Sequence, residues 1–422
     1  MEKKWYSLID KVYKEQNLFA AFAKVKLNRG TCGVDKQTID DFEANLTENI
    51  LLLHLDLKNR DYSPQPVRRV EIPKGNGKTR PLGIPTVRDR VVQQAILNVI
   101  QPIFEPDFHP SSYGYRPGRS CQKAVAKAQS FLVIHGLPFV VDMDLSKCFD
   151  SLNHEKIMQG LNRKISDGTL LRLIEKMLKS GTIEMGNFAP TEIGSPQGGV
   201  ISPLLMNIYL DEFDQYMKGL GIRIVRYADD ILIFAPTMKK AERYFKIASD
   251  KLHSMLLTVN VEKTHISNVD KGVKYLGFVI HRSYIRIDDK RIKQFKDKVR
   301  SMTPRNSGIN AEEMILNLNK YLRGWGNYFR LADCKTVFSA LMEWIRRRLR
   351  MKKMREWKSW KAFHQQLRRN GYKGNYPKIS MRRWVNSACK LIHMALPNSW
   401  FNDMGLFKLN DLRTSVLFNY YE

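Results

Sequence analysis

At 422 residues the chain is too long for one small hydrophobic core, and two or three packed units are expected. Five scattered cysteines without paired spacing (Cys32, Cys121, Cys148, Cys334, Cys389) speak against a disulfide framework or a zinc site, and no apolar run is long enough to span a bilayer. Lys and Arg number 70 against 42 Asp and Glu, a net charge of +28 that points to a polyanionic partner.

The N-terminus, MEKKWYSLIDKVYKEQNLF, is charged throughout and lacks the apolar centre of a signal peptide, so an intracellular protein is expected. Residues 1–60 read mostly helical, broken by a loop at 28–33. A basic stretch rich in Pro and Gly follows from Tyr62 through IPKGNGKTRPLGIPT to Thr86. Val91, Val92, Ala95, Ile96, Val99, Ile100 and Ile103 then mark one face of a helix that Pro102 is predicted to end. From 139 to 290, strand-like segments (FVVDMDL, IRIVRYADDILIF, VKYLGFVI, YIRI) alternate with helical ones such as SPLLMNIYLDEFDQYM and KAERYFKIASDKLHSML. This mixture predicts an α+β unit around a small antiparallel sheet. TPRNSGIN, at 303–310, reads as a linker. Beyond it Phe338, Leu341, Met342, Ile345 and Leu349 share one helix face, with Arg346, Arg347, Arg348 and Arg350 mostly on the other.

Two places in this outline carry chemistry. In IVRYADDILIF, Asp229 and Asp230 sit side by side between apolar walls, where like charges and burial each disfavour ionisation. Two short strands joined by a turn at 228–230 would put both carboxylates at a hairpin tip. An isolated acidic pair of this kind reads as a solvated turn. Here a second acidic strand lies upstream: in FVVDMDL, Asp142 and Asp144 share the face opposite Phe139, Val141, Met143 and Leu145. Three carboxylates from two strands can converge on a divalent cation, which removes their repulsion; a pair of Mg²⁺ ions would clamp the attacking and leaving oxygens of a phosphoryl displacement.

These segments resemble the ordered motifs of reverse transcriptases: IPKGNGKTRPLGIPTVRDRVVQQAI, SSYGYRPGRSCQKAV, FVVDMDLSKCFDSLNH, GSPQGGVISPLLMNIYLDEFD, YADD, LTVNVEKTHI and VKYLGFVI. The versions GYRPGRS, SPQGGVISP and NVEKT, with YLRGWGNYF at 321–329, are most similar to group II intron-encoded reverse transcriptases, or maturases, of the bacterial endonuclease-lacking type. The resemblance implies a right-hand polymerase fold, α+β, with an N-terminal extension and fingers over 1–110 and a palm over 111–302. A helical thumb or maturase region over 303–356 and a basic DNA-binding segment over 357–422 complete it. It also implies an RNA-directed DNA polymerase that copies intron RNA for retromobility and assists splicing. Its partners would be group II intron RNA, an RNA template with DNA primer, target DNA and dNTPs, with no membrane; a homodimer is left open. A bacterial cytoplasmic location, nucleoid-associated when acting on DNA, goes with this.

Carried over by position, Asp144, Asp229 and Asp230 would be the catalytic residues and the ligands of two Mg²⁺, with Asp142 behind them. Lys74, Arg80, Phe149, Gln197 and Lys263 would contact the nucleotide, Phe149 as the aromatic that excludes a 2′-hydroxyl. Arg116, Gly198, Gly199, Tyr275, Leu276 and Gly277 would contact template and primer. Residues 301–422 hold 23 Lys and Arg against 8 Asp and Glu, and six of the seven Trp. Arg346, Arg347, Arg348, Arg350, Lys352 and Lys353 are therefore expected to track phosphates along RNA or DNA. Two other readings stay open: a maturase acting only as an RNA-binding protein, which degenerate carboxylates would have marked, and a related polymerase in a defence or CRISPR-associated role.

Overall fold

The computed structural model describes residues 4–415 apart from 76, 185–186, 191–192 and 196–197, with the side chains at 74, 75 and 78 also outside the description. The chain divides into two compact units, Met1–Ser267 and Asn268–Glu422.

In the first unit, the basic Pro/Gly-rich stretch forms a hairpin of β1 (Val67–Gly75) and β2 (Lys78–Ile84), paired from Arg68↔Ile84 to Gly75↔Lys78. Its prolines fit because of where they fall. Pro81 lies on β2, an edge strand of the sheet β2-β1-β4-β5, and Pro73 lies where the register shifts. Strands β4 (Thr182–Glu184) and β5 (Asn187–Ala189) complete that sheet. The long helix Val87–Phe104 starts at Thr86, whose side chain accepts from the Asp89 N–H. It runs past Pro102, correcting the expected stop by about one half-turn: a proline there removes a single hydrogen bond in the last turn.

The second sheet has the order β6-β7-β3-β8, formed by β3 (Phe139–Asp144), β6 (Arg223–Tyr227), β7 (Asp230–Ala235) and β8 (His265–Asn268). Val141, Met143, Ile224, Ile231 and Ile233 are buried in the core of this unit, together with Leu205, Phe213 and Met217 of the helix Ser202–Gly219. Helix Met238–Ser254 packs against β3 and β7 through Ala241, Ala248 and Leu252. The apolar flanks of both acidic segments are thus anchored inside, and only their carboxylate ends approach solvent.

The second unit opens with the sheet β11-β10-β9 (Val273–Tyr275, Phe278–Ile280, Ile285–Ile287 for β9, β10 and β11). Helices Asp289–Met302, Ala311–Phe329 and Lys335–Trp357 follow. Phe278 stacks on Tyr328 and touches Phe329, while Trp325 contacts Phe295, Phe329 and Phe338. Through this aromatic core the small sheet is packed by the helices that follow it. A smaller core, including Met354, Phe363, Leu367 and Ile392, sits under helix Trp360–Arg369. Among the described residues, no helix is long and apolar enough to cross a membrane.

Candidate active site

The register of β3 against β7 puts Asp144 directly opposite Asp230, with Asp142 opposite Leu232. The strands β6 and β7 close through the pair Tyr227↔Asp230, leaving Ala228 and Asp229 as a two-residue turn. Ala228 takes φ 57°, the left-handed conformation such a tight turn needs at its first position. A one-residue slip would send Asp144 to the apolar face, so the buried alternation of β3 fixes the carboxylate's position.

The site carries more negative charge than it can comfortably ionise. Burial, then Asp229, Asp142 and Asp144, push the Asp230 carboxyl up to about 7, against a smaller opposing effect of Lys263. Burial likewise raises Asp142 to about 6, offset by His265, whose Nε2 lies 3.8 Å from Asp142 Oδ2, and assisted by Asp144. Asp144 has a cationic partner: Lys263 Nζ donates to its Oδ2 at 2.7 Å, and Asn260 Nδ2 approaches the same oxygen at 3.3 Å. Among the described residues, no three His, Cys, Asp or Glu side chains stand in a ligating arrangement. The donor set still suits a hard divalent cation. Asp144, Asp229 and Asp230 offer oxygen only, and their mutual repulsion is what a cation would relieve.

A buried polar network lies under the turn. Arg226, next to the buried Ile224 and Val225 on β6, is wholly enclosed and paired with the equally enclosed Asp214, its Nη2 2.6 Å from Asp214 Oδ2. Its Nη1 donates to Asn207 Oδ1 and to the carbonyl of Ala228, each at 3.0 Å. Asn207 and Asp214 stand seven residues apart on the helix Ser202–Gly219, hence on one face. Asn207 Nδ2 reaches the Gly114 carbonyl at 2.9 Å. Gly114 itself admits no side chain, since a Cβ there would lie 2.3 Å from the Ala228 nitrogen. Arg226, Asp214, Asn207 and Gly114 were not among the expected site residues. The arginine in the midst of IVRY was the available signal, because a charge on a buried strand implies a buried partner.

The other expected residues fall as follows. Phe149 sits on the short 3₁₀ helix Cys148–Ser151 just after β3, half-buried against the core, and its carbonyl accepts from Ser195 N–H at 2.8 Å. Arg80 is exposed on β2. Gln197 and the Lys74 side chain lie outside the described residues. Gly198 (φ 117°) is pressed against β2, where a Cβ would meet the Gly83 oxygen at 2.4 Å, and Gly199 is buried. Chain packing therefore already requires glycine at 198. Arg116 departs from expectation: it is buried and pairs with Glu105, and it donates to the carbonyls of His109 and Ser112 at 2.9 and 2.8 Å. Its guanidinium is thereby tied to its own loop.

In the second unit, Leu276 (φ 49°) and Gly277 (φ 84°) form the tight turn between β9 and β10, with Tyr275 buried. Along the expected phosphate track, several cations are engaged by protein groups. Arg350 is buried, donating to the Leu396 carbonyl and Asn398 Oδ1, and Lys352 is buried on the Ser307 carbonyl. Arg348 donates to Thr303, Lys353 pairs with Glu312 and Glu356, and Arg347 lies over the Trp384 ring at 5.0 Å. Of these cations only Arg350 and Lys352 are buried, while Arg346, Arg347, Arg348 and Lys353 are half-buried, so periodicity alone does not separate the two groups.

Residues 72–280 match the family "Reverse transcriptase (RNA-dependent DNA polymerase)", and residues 292–372 match "Group II intron, maturase-specific domain". The chain is 37% identical over 300 residues to Protein YkfC of Escherichia coli (strain K12), covering 62% of this chain and 79% of that protein. It is 35% identical over 240 residues to Group II intron-encoded protein LtrA of Lactococcus lactis subsp. cremoris, covering 56% of this chain and 39% of LtrA. Among solved structures, apo telomerase from Candida Tropicalis is similar at a TM-score of 0.43 and 14% identity, covering 53% of this chain and 55% of that one. The chain is thus an RNA-directed DNA polymerase by class. More narrowly, it belongs to the group II intron reverse transcriptase and maturase family.

Proposed function

We propose that this polymerase copies group II intron RNA into DNA for retromobility by two-metal phosphoryl transfer, and that it binds the same RNA to assist splicing. The observation that carries the reading is the pairing of Asp144 with Asp230 beside the Asp229 turn, in a site too acidic to stay fully ionised without a cation. Asp144, Asp229 and Asp230 would hold two Mg²⁺, which when bound activate the primer 3′-oxygen and neutralise the leaving pyrophosphate. The chain's own groups would do the rest. Arg80 and Lys74 place fixed positive charge near the triphosphate. Phe149 fills the space a 2′-hydroxyl would need. Lys263, now on Asp144, lies within reach of the same anionic centre and is suited to stabilise the triphosphate. Intron RNA, target DNA and a template–primer duplex are the partners this reading requires. The maturase match over 292–372 and the name of LtrA support the intron RNA.

Primer extension on an RNA template with dNTPs and Mg²⁺ tests the proposal. The wild-type chain should extend, and Asp229→Ala should abolish extension while leaving RNA affinity nearly unchanged. Extension by Asp229→Ala would refute the metal assignment, and a wild-type chain that binds RNA yet never extends would leave it a maturase alone.

A further inference from the structure

Beside the Asp229 turn stands an aromatic residue to which no role has been given. Tyr115 follows directly on Gly114, the residue whose α-carbon is pressed against Ala228. It holds φ 58°, a conformation that a bulky side chain adopts only under constraint. The constraint is visible on both sides. Gly114 is tied by its carbonyl to Asn207, and Arg116 is buried on Glu105, His109 and Ser112. The loop thus spends one buried arginine and one close-packed glycine on fixing a tyrosine whose own surface is 55% exposed. An exposed aromatic in a strained backbone gains nothing for the fold, so its benefit lies elsewhere.

The surroundings of the ring indicate where. Although more than half open, its hydroxyl is raised in pKa by desolvation and by Asp229, with Arg80 pulling the other way. The placement rests on geometry: Gly114 meets Ala228, so the backbone that presents Tyr115 lies against the turn carrying Asp229. Asp229 belongs to the acidic turn, and Arg80 to the exposed strand expected to meet the triphosphate.

We infer that Tyr115 is a substrate-contacting residue, its ring packing against the base or sugar of the nucleotide entering at the growing end. This rests on the polymerase reading above. A rigidly held aromatic suits such a contact because stacking requires a fixed plane and little entropy is lost on binding. Arg116, singled out in the sequence, acts one step removed: it positions the loop that presents its neighbour.

Steady-state extension on an RNA template, with dNTP and template–primer varied separately, tests this with three variants. Tyr115→Ala should raise the KM for dNTP about tenfold or more, with the KM for template–primer changed less. Tyr115→Phe should stay close to wild type, since the ring and not the hydroxyl makes the contact. Tyr115→Gly relieves the backbone strain while removing the ring. It should melt at or above the wild-type temperature yet show the same rise in KM as Tyr115→Ala. An unchanged KM for dNTP in both Ala and Gly variants would overturn the inference, as would recovery of activity in the Gly variant alone, which would mark a purely conformational role. A rise confined to template–primer would overturn it in favour of a duplex contact. Because wild type and Asp229→Ala are run alongside, an inactive wild-type chain would instead count against the polymerase reading.

Discussion

Lys263 Nζ lies 2.7 Å from Asp144 Oδ2, so a cation of the chain's own already sits on one of the three carboxylates proposed to hold metal. The lysine is largely exposed and its pairing is screened, so the contact contributes little to stability. Its interest lies in competition, since ammonium and divalent ion are drawn by the same oxygen.

Lys263→Ala should therefore tighten Mg²⁺ binding by roughly three- to tenfold, because a competing charge is removed. Extension should nevertheless slow, through loss of the proposed nucleotide contact. Mn²⁺ titration by electron paramagnetic resonance reads the first effect and primer extension the second. Weaker metal binding in the variant would show that Lys263 organises the carboxylates instead of competing for them.

The pH dependence of stability follows from Asp230, raised to about 7, and Asp142, raised to about 6, from an ordinary value of 3.8. Between the ordinary and the raised values the folded chain holds protons that the unfolded chain has released. Stability of the metal-free protein should thus fall as pH climbs through about 4 to 7. The slope should be shallower in Asp230→Asn, and the difference between the two melting curves isolates this group. Mg²⁺ should raise the melting temperature more at about pH 8 than at about pH 6, since the ionised set binds it. Equal Mg²⁺ shifts at both values would contradict the assignment.

Phe149 is half-buried immediately after the Asp144 strand, as a residue both packed and facing the site would be. Phe149→Ala should relax discrimination against ribonucleotides about tenfold or more, with kcat/KM for dNTP and rNTP compared on one template. Unchanged selectivity with reduced melting temperature would return it to the core.

The basic helix of the second unit separates into two kinds of arginine. Arg350→Ala should destabilise by about 2–4 kcal/mol, because its removal orphans the Leu396 carbonyl and opens a gap beside Phe401. Arg346 on the same helix is only half-buried, and Arg346→Ala should cost less stability than Arg350→Ala while lowering the salt dependence of RNA binding by about one counterion. Denaturant unfolding and filter binding at several salt concentrations distinguish them. The reverse pattern would restore Arg350 to the nucleic-acid surface.

Much of this arrangement could be read from residue order. The alternation of Val141 and Met143 with Asp142 and Asp144 marked the face Asp144 takes, and the apolar walls of YADD marked the hairpin, because period and turn length are local properties. What could not be read was which cations are enclosed. Arg116, Arg350 and Lys352 look like surface charges by spacing, and only the tertiary partners Glu105, Leu396 and Ser307 show otherwise. Tyr115 was hidden for the same reason, since its left-handed backbone depends on Gly114 meeting Ala228 across 114 positions of sequence.

Arg226 has given its nitrogens to Asp214, Asn207 and the Ala228 oxygen with no solvent to replace any of them. Dropping either member of the Arg226–Asp214 pair strands the other's charge in a dry interior, so a single-step loss there is costly. Descendants of this chain should retain arginine and aspartate together or exchange both for apolar residues. In that sense the ground beneath Asp229 is inherited whole, whatever becomes of the surface above it.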